Sequence, residues 1–429
     1  MLSHKMYNEC RRKPMYIKRN ITALIYELLA DFRIVAISGP RQSGKTTLSK
    51  EIAKELNMDY YTFDNEATRI TAAHNPIPFI TQLSKKPSVI DEIQLVPEVI
   101  SALKISADEL NESGMFLLTG SADLFKMSAI KESLAGRMVS VALFPLSYFE
   151  LNGCSLNMID MLFDGKITSF DFKKMSYESM IEQITTGGFP SVQGKSVQSH
   201  VHWFESYIEA RIEKDLSLIK KISQENKSEI NKLLRILASI TSNLLKYSSL
   251  SKHLSIKDMT VKSDIEILEA LFLVKRVNPY FTNRGKRELK APKIQFIDTG
   301  LVAHLADVDA HTLITKDREM LGNLVENFVY AELLKHTTYA KKSTKIYHYR
   351  DGDYEVDFVL EQRNSKIIAI EVKSSAIIKT EYARGLIQLA KNSKENFEAG
   401  YIFYGGNEIL PLVKGGYTFW CIPFVVLFG

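Results

Sequence analysis

The run IVAISGPRQSGKT at 34–46 carries the reading from which the rest follows. A short apolar stretch enters Gly39-Pro40-Arg41-Gln42-Ser43-Gly44-Lys45-Thr46, which satisfies G-x-x-x-x-G-K-[ST], and the helical run TLSKEIAKEL leaves it at 47–56. Strand, glycine-rich loop and helix in that order make a phosphate cradle. The glycines let backbone N–H groups converge, the helix N-terminus adds positive potential, and Lys45 supplies a cation. The expected ligands are ATP and Mg²⁺, with contacts from Gly39 to Thr46, a further one from Thr47, and the Thr46 hydroxyl on the metal.

Downstream, PSVIDE at 87–92 is an apolar strand ending in two acids. Asp91 suits the Mg²⁺ contact, and Glu92 is positioned to polarise an attacking water. MFLLTGS at 115–121 is expected beside those strands, bringing Thr119 and Ser121 to the same sheet edge. Two readings stand there: polar sensors of the hydrolysing water, or the plain end of a strand. Arg137 in SLAGR is the arginine candidate for neutralising transition-state charge, in cis or from a neighbouring subunit, with a structural arginine as the alternative. RIVAISG, DYYTFD, PSVIDE, MFLLTGS and MVSVALF alternate with helical stretches, the rhythm of an α/β fold with a parallel sheet and crossover helices.

The remaining chain divides by pattern. Residues 1–20 form a basic segment, 21–145 the phosphate-loop core, and 146–225 a helical lid or linker containing the turn Gly187-Gly188-Phe189-Pro190. Residues 226–300 carry three helical patterns and two extended runs around NRGKRE, a winged helix-turn-helix outline. Its basic side chains, Lys252, Lys257, Lys262, Arg284, Lys286, Arg287, Lys290 and Lys293 against Glu288, suggest a phosphate-contacting surface for DNA or RNA; a packing module is the bland alternative.

Residues 301–429 read as a second α/β domain. Glu326 on the helix NLVENFVYAELLK, Asp357 in YEVDFVLEQ, and Glu371 with Lys373 in KIIAIEVKS fit a restriction-endonuclease-like PD-(D/E)xK core. Side chains two apart in a strand share a face, and a hairpin partner brings Asp357 beside them, so Glu326, Asp357 and Glu371 are expected to hold a metal with Lys373 on the attacking water. Gln388 on the following helix is a further contact candidate. Solvated alternation along an amphipathic strand is the competing explanation, and such folds also serve as inert binding modules.

Composition sets the outer bounds. With 429 residues and 45% hydrophobic content the chain can bury two or three cores. The net charge of +5 is matched by the excess of basic residues in the first twenty positions, so the chain is no general polycation. Glu27, Asp31 and Arg33 break the apolar stretch after that basic start, which argues against a signal peptide, and no run reaches the ~18 apolar residues of a membrane span. Cys10, Cys154 and Cys421 have neither disulfide nor zinc spacing, which fits the cytoplasm.

The motifs GPRQSGKT (39–46), VIDEIQ (89–94), LLTGSA (117–122), SLAGR (133–137), GGFP (187–190), KAPKIQFIDTGL (290–301), GNLVENFV (322–329) and IEVKSS (370–375) together resemble a large prokaryotic family of AAA-type ATPases whose C-terminal half is a domain of unknown function. The resemblance spans nearly the whole chain. It implies an AAA-like ATPase core that binds ATP with Mg²⁺, and the natural role is a switch coupling nucleotide state to the winged-helix and C-terminal halves, acting on nucleic acid or a client protein, as a monomer or oligomer. An ATP-regulated, Mg²⁺-dependent nuclease and an ATP-binding scaffold with negligible turnover are the alternatives. No second sensor arginine can be placed from the sequence.

Overall fold

The structure is a computed structural model that describes residues 16–121, 134, 136–216, 224–281 and 290–429. The N-terminal unit is a five-stranded sheet built from β1 (Ile34–Ser38), β2 (Asp59–Thr62), β3 (Ser88–Asp91), β4 (Phe116–Gly120) and β5 (Met138–Ala142) in the order β2-β3-β4-β1-β5. Every pairing is parallel. β4 therefore lies between β1 and β3, where the sequence reading expects it.

Parallel strands covered on both faces need apolar side chains in both directions, and β1, β3 and β4 are buried throughout. Ile34, Ala36, Ile90, Phe116 and Leu118 pack into one core with helix Val99–Leu110, while Val35, Ile37, Val89 and Leu117 join the other with helix Lys45–Glu55. The alternation is the period of two expected of a strand.

Beyond the sheet, residues 146–216 carry helices joined by turns and no strand. Helices Gln224–Ser239, Tyr247–Leu254 and Asp258–Ala270 follow, then an antiparallel pair, β6 (Val274–Val277) and β7 (Lys293–Phe296). Arg284, Lys286, Arg287 and Glu288 lie outside the described residues. Among the other basic candidates, Lys252, Lys257, Lys262 and Lys290 are exposed. Lys293 is not a surface cation, because it is buried among acids described below.

The C-terminal sheet has the order β12-β13-β11-β10-β9-β8, from β8 (Thr344–Asp351), β9 (Tyr354–Gln362), β10 (Ile367–Lys373), β11 (Phe397–Tyr404), β12 (Leu410–Lys414) and β13 (Tyr417–Pro423). β8, β9 and β10 form an antiparallel meander, whereas β10, β11 and β13 run parallel. Helix Arg318–Thr337 contacts this sheet through β8 and β10, and helix Arg384–Ser393 packs on β9, β10 and β11.

One apolar core runs from Phe144 to Phe428 and takes in the 146–225, 226–300 and 301–429 segments together. Tyr148 meets Phe428 with ring centroids 4.5 Å apart, and Tyr401 donates to Leu162 O at 2.8 Å. These three segments are successive in sequence but not separate in packing.

Turn 187–190 is the junction. Gly188 N donates to Asp298 Oδ2 at 2.7 Å, and Leu146 N donates to Gly188 O at 2.8 Å. A Cβ on Gly188 would lie 2.2 Å from Leu146 O, so the approach requires glycine. Lys335 then donates to Leu146 O at 3.0 Å and pairs with Glu332, whose other oxygen accepts from Tyr148 N. The chain leaving the parallel sheet is thereby tied to the C-terminal half by buried, satisfied polar groups.

Candidate nucleotide site and acidic cluster

The loop 39–46 sits at the carboxyl edge of β1, as open parallel sheets place their ligand sites. Gly39 has φ +148°, and a Cβ there would fall 2.2 Å from Leu143 O. Gly44, at φ +98°, is the N-cap of helix Lys45–Glu55 and brings no side-chain cap. The first helical N–H groups are thus left for an anion. Ser43 Oγ is buried without a hydrogen-bond partner at the same place.

Lys45 is buried and donates to Gly39 O at 3.0 Å and Pro40 O at 2.8 Å, folded over its own loop. Burial pulls its ammonium down to about 8; Glu92 and Asp91 oppose the shift, while Arg211 and Arg41 add to it. Because the folded value lies below the ordinary 10.5, the folded chain gives up this proton first as pH rises, and stability gains from this group between about pH 8 and 10.5. Nucleotide affinity runs the other way. In a calorimetric titration, the ATP dissociation constant is expected to climb above pH 8, by up to about tenfold per pH unit, as the cation is lost. A flat profile to pH 10 would separate Lys45 from the phosphates.

Across the loop, Thr46 Oγ1 donates to Asp91 Oδ2 at 2.9 Å, and Tyr60 donates to the same oxygen at 2.6 Å. Thr119 Oγ1 donates to Asp91 Oδ1 and accepts from Glu92 N at 3.2 Å. Glu92 is held in the left-handed region at φ +59°, a conformation uncommon for a side chain with a Cβ and found where the surroundings enforce it. Gln94 donates to Glu92 Oε2 and to Ser121 Oγ. Burial raises the Glu92 carboxyl above its ordinary value, with Lys45 and Gln94 pulling back. Lys45, Thr46, Asp91, Glu92, Thr119 and Ser121 therefore converge, whereas Thr47 and Gln42 are exposed at the mouth.

Arg137 is not brought there. Its carbonyl accepts from Ile34 N and its guanidinium pairs with Asp108, which puts it at the amino edge of the sheet. Five residues of β1 separate that edge from the loop, roughly 16 Å at ~3.3 Å per residue. Arg137 cannot serve this chain's own site in this arrangement.

Other arginines surround the loop, and the sequence pattern did not single out two of them. Arg19, buried, donates to Ser43 O at 2.7 Å and Phe144 O at 2.7 Å and pairs with Glu150 at 3.0 Å. It braces the loop from beneath rather than belonging to a solvated basic tail. Arg211 is completely buried, with Nη1 on Asp215 Oδ2 at 2.5 Å and Nη2 on Leu271 O. Its Nε has no hydrogen-bond partner. Arg41 reaches Asp215 Oδ1 at 3.3 Å. Residues Arg211–Asp215 form a π-helical turn, a widening that often marks functional positions. A π-turn is invisible to helical periodicity, so only its buried Arg-x-x-x-Asp pair was there to be found.

The acidic residues of the C-terminal sheet meet as well. The β9–β10 ladder pairs Phe358 with Ile370, and one further step sets Asp357 opposite Glu371. Asp357 Oδ2 accepts from Val372 N at 2.9 Å, and Lys373 pairs with Glu371 at 2.6 Å. Lys293 Nζ lies 2.8 Å from Glu326 Oε1 and 3.0 Å from Asp357 Oδ1. Burial first, then Asp357, holds both Glu326 and Glu371 well above the ordinary carboxylate range. Burial opposes the charge on Asp357 too, but Lys293 and Lys373 outweigh it and keep its carboxyl low.

The metal set expected at Glu326, Asp357 and Glu371 falls on this cluster. Among the described residues no group of three or more His, Cys, Asp or Glu side chains is disposed to hold a metal ion. The Lys293 ammonium is seated between two of these carboxylates, Glu326 and Asp357. A cavity of about 680 Å³ opens beside them, lined by residues including Ser242, Lys246, His253, Lys293, Glu326 and Asp357.

Residues 31–152 match the family described as the AAA domain, residues 177–312 a domain of unknown function (DUF8612), and residues 321–425 a domain of unknown function (DUF4143). The N-terminal unit is thus similar to the AAA domain family in sequence, and it carries the phosphate-binding loop at 39–46. An uncharacterized protein of Mycobacterium tuberculosis is 26% identical over 319 residues, covering 74% of this chain and 65% of that protein. The chain thus spans less than two thirds of that relative. An uncharacterized protein of Methanocaldococcus jannaschii is 24% identical over 366 residues, covering 79% and 75%. Among solved structures, the walker-type ATPase of Pyrococcus abyssi aligns over 68% of this chain and 97% of its own, at 15% identity and a TM-score of 0.40. No helix among the described residues is long and apolar enough to cross a membrane.

Proposed function

We propose that the chain binds ATP with Mg²⁺ and hydrolyses it, and that the helical half reads the nucleotide state through Arg41, Asp215 and Arg211. The observation that carries this is the Thr46 Oγ1 to Asp91 Oδ2 contact of 2.9 Å, beside the buried Lys45. Hydroxyl and carboxylate oxygens are the donors a hard divalent cation takes, and such a cation neutralises charge across the phosphate oxygens. Thr46 and Asp91 are the residues that would hold it here. The unpartnered Ser43 Oγ and the uncapped helix start are the orphaned polar groups a triphosphate would satisfy.

Each residue then has a task. Lys45 exchanges the carbonyls of Gly39 and Pro40 for phosphate oxygens. Glu92 takes a proton from the attacking water, and its raised pKa suits a base that must accept one. Thr119 fixes both the Asp91 carboxylate and the Glu92 backbone. Arg41 trades Asp215 for phosphate, which alters the charge balance around Arg211 and hence its hold on Leu271. Lys45→Ala is expected to weaken ATP binding by roughly 1.5–3 kcal/mol, ten- to a hundredfold, from loss of a charged hydrogen-bond donor. Unchanged affinity in a nucleotide-binding assay would overturn the loop assignment.

A second reading concerns the C-terminal half, favoured by Asp357, Glu371 and Lys373 meeting across the β9–β10 hairpin. On this reading it is a restriction-endonuclease-like fold preceded by a winged helix-turn-helix at 226–300. Exposed Lys252, Lys257 and Lys262 supply phosphate contacts to DNA or RNA, and a client protein is the other partner class.

A further inference from the structure

Lys293 stands at the start of β7, a strand fixed on two sides. Ile294 N donates to Asn243 O at 3.1 Å, and Phe296 N donates to Asn327 Oδ1 at 2.7 Å from the helix that also carries Glu326. The side chain is therefore delivered from a rigid backbone to one point. At that point its ammonium bridges Glu326 and Asp357 at 2.8 and 3.0 Å, while Asp357 spends its second oxygen on Val372 N. The bridge is buried, yet it forms part of the wall of the 680 Å³ cavity.

We propose that Lys293 is a tethered cation occupying the position where a nuclease-like site holds its divalent metal, so that this cluster is closed to Mg²⁺ and Mn²⁺ while Lys293 bridges Glu326 and Asp357. The inference rests on the nuclease-like reading of the C-terminal half. Charge explains the closure. Glu326, Asp357 and Glu371 face two ammonium groups, Lys293 and Lys373, leaving little net negative charge for a doubly charged ion. A metal at the bridging point would also sit against the Lys293 ammonium, and the repulsion is least screened in a buried place. Glu326 and Asp357 outweigh the burial of Lys293 and hold its pKa above that of an ordinary lysine, so it stays charged across the physiological range.

The test uses nucleotide-free full-length protein titrated with Mn²⁺, free metal being read by electron paramagnetic resonance. Wild type and Asp357→Asn are expected to bind Mn²⁺ equally weakly. Lys293→Met is expected to gain one site per chain, bound at least about tenfold more tightly because the competing charge is gone, and Lys293→Met/Asp357→Asn to lose it again. Mn²⁺ should also raise the melting temperature of Lys293→Met alone. Wild-type binding that Asp357→Asn abolishes would overturn the closure and leave the nuclease-like reading standing. A folded Lys293→Met with no gained site would overturn both. Should circular dichroism show Lys293→Met unfolded, Lys293→Gln takes its place, and the wild-type and Asp357→Asn comparison decides the closure by itself.

Discussion

Glu92→Gln is expected to keep ATP bound while its turnover falls about 10²- to 10⁴-fold, the usual weight of a positioned general base. Gln has the same shape, and Gln94 Nε2 can still donate to its carbonyl, so the left-handed turn after β3 should survive. What is lost is the proton acceptor. Phosphate release and equilibrium nucleotide binding, measured side by side, check it: an unchanged rate takes Glu92 out of the reaction, and lost binding would mean that the substitution disturbed Asp91. A variant that holds triphosphate is also the natural bait for a client, because the switched state persists.

Arg211→Met is expected to cost about 3–5 kcal/mol of folding stability, since it strands Asp215 as a buried charge. Arg41 softens the loss only in part; its ion pair with Asp215 is 3.3 Å long and its own side chain is one-third exposed. Asp215→Asn should also destabilise, and the double variant Arg211→Met/Asp215→Asn should cost clearly less than the two singles added together. Urea denaturation of the four proteins supplies the cycle. Additivity within about 0.5 kcal/mol would show that the two residues are independent and would remove the proposed reader of nucleotide state. ATP affinity in the same set tests whether the Arg41 exchange is linked to this pair.

Much of the nucleotide site could be read along the chain because each part is local. Gly39 to Thr46 must be contiguous for backbone N–H groups to converge, and Asp91 and Glu92 end an apolar strand whose period announces it. Thr119 and Ser121 required one further step, the insertion of β4 between β1 and β3. Arg137 shows where that style of inference fails. Its place in the chain, just before β5, sends it to the amino edge because β5 runs parallel to β1. Arg19 and Arg211 fail in the opposite sense, lying 24 residues before Ser43 and 60 before Leu271, their backbone partners, with no periodicity linking them.

The C-terminal half divides in the same way. β9 and β10 are announced by the runs YEVDFVLEQ and KIIAIEVKS, and the hairpin rule brings Asp357 towards Glu371. β12 and β13 were not anticipated; β12 is a largely exposed edge strand, and β13 finds its place beside β11 only in the folded sheet. Lys293 counts among basic wing residues in one dimension and is a buried counter-ion in three.

Chain order alone specified the phosphate loop, the acid-tipped third strand and the alternation of strand with helix, because those depend on dihedral preference and on which neighbours are apolar. Folding assigned the counter-ions: which arginine braces the loop, which meets Asp215, and which lysine separates Glu326 from Asp357. A buried charge is tolerable only beside a specific partner, and partners distant in sequence are chosen by packing, which no local pattern encodes.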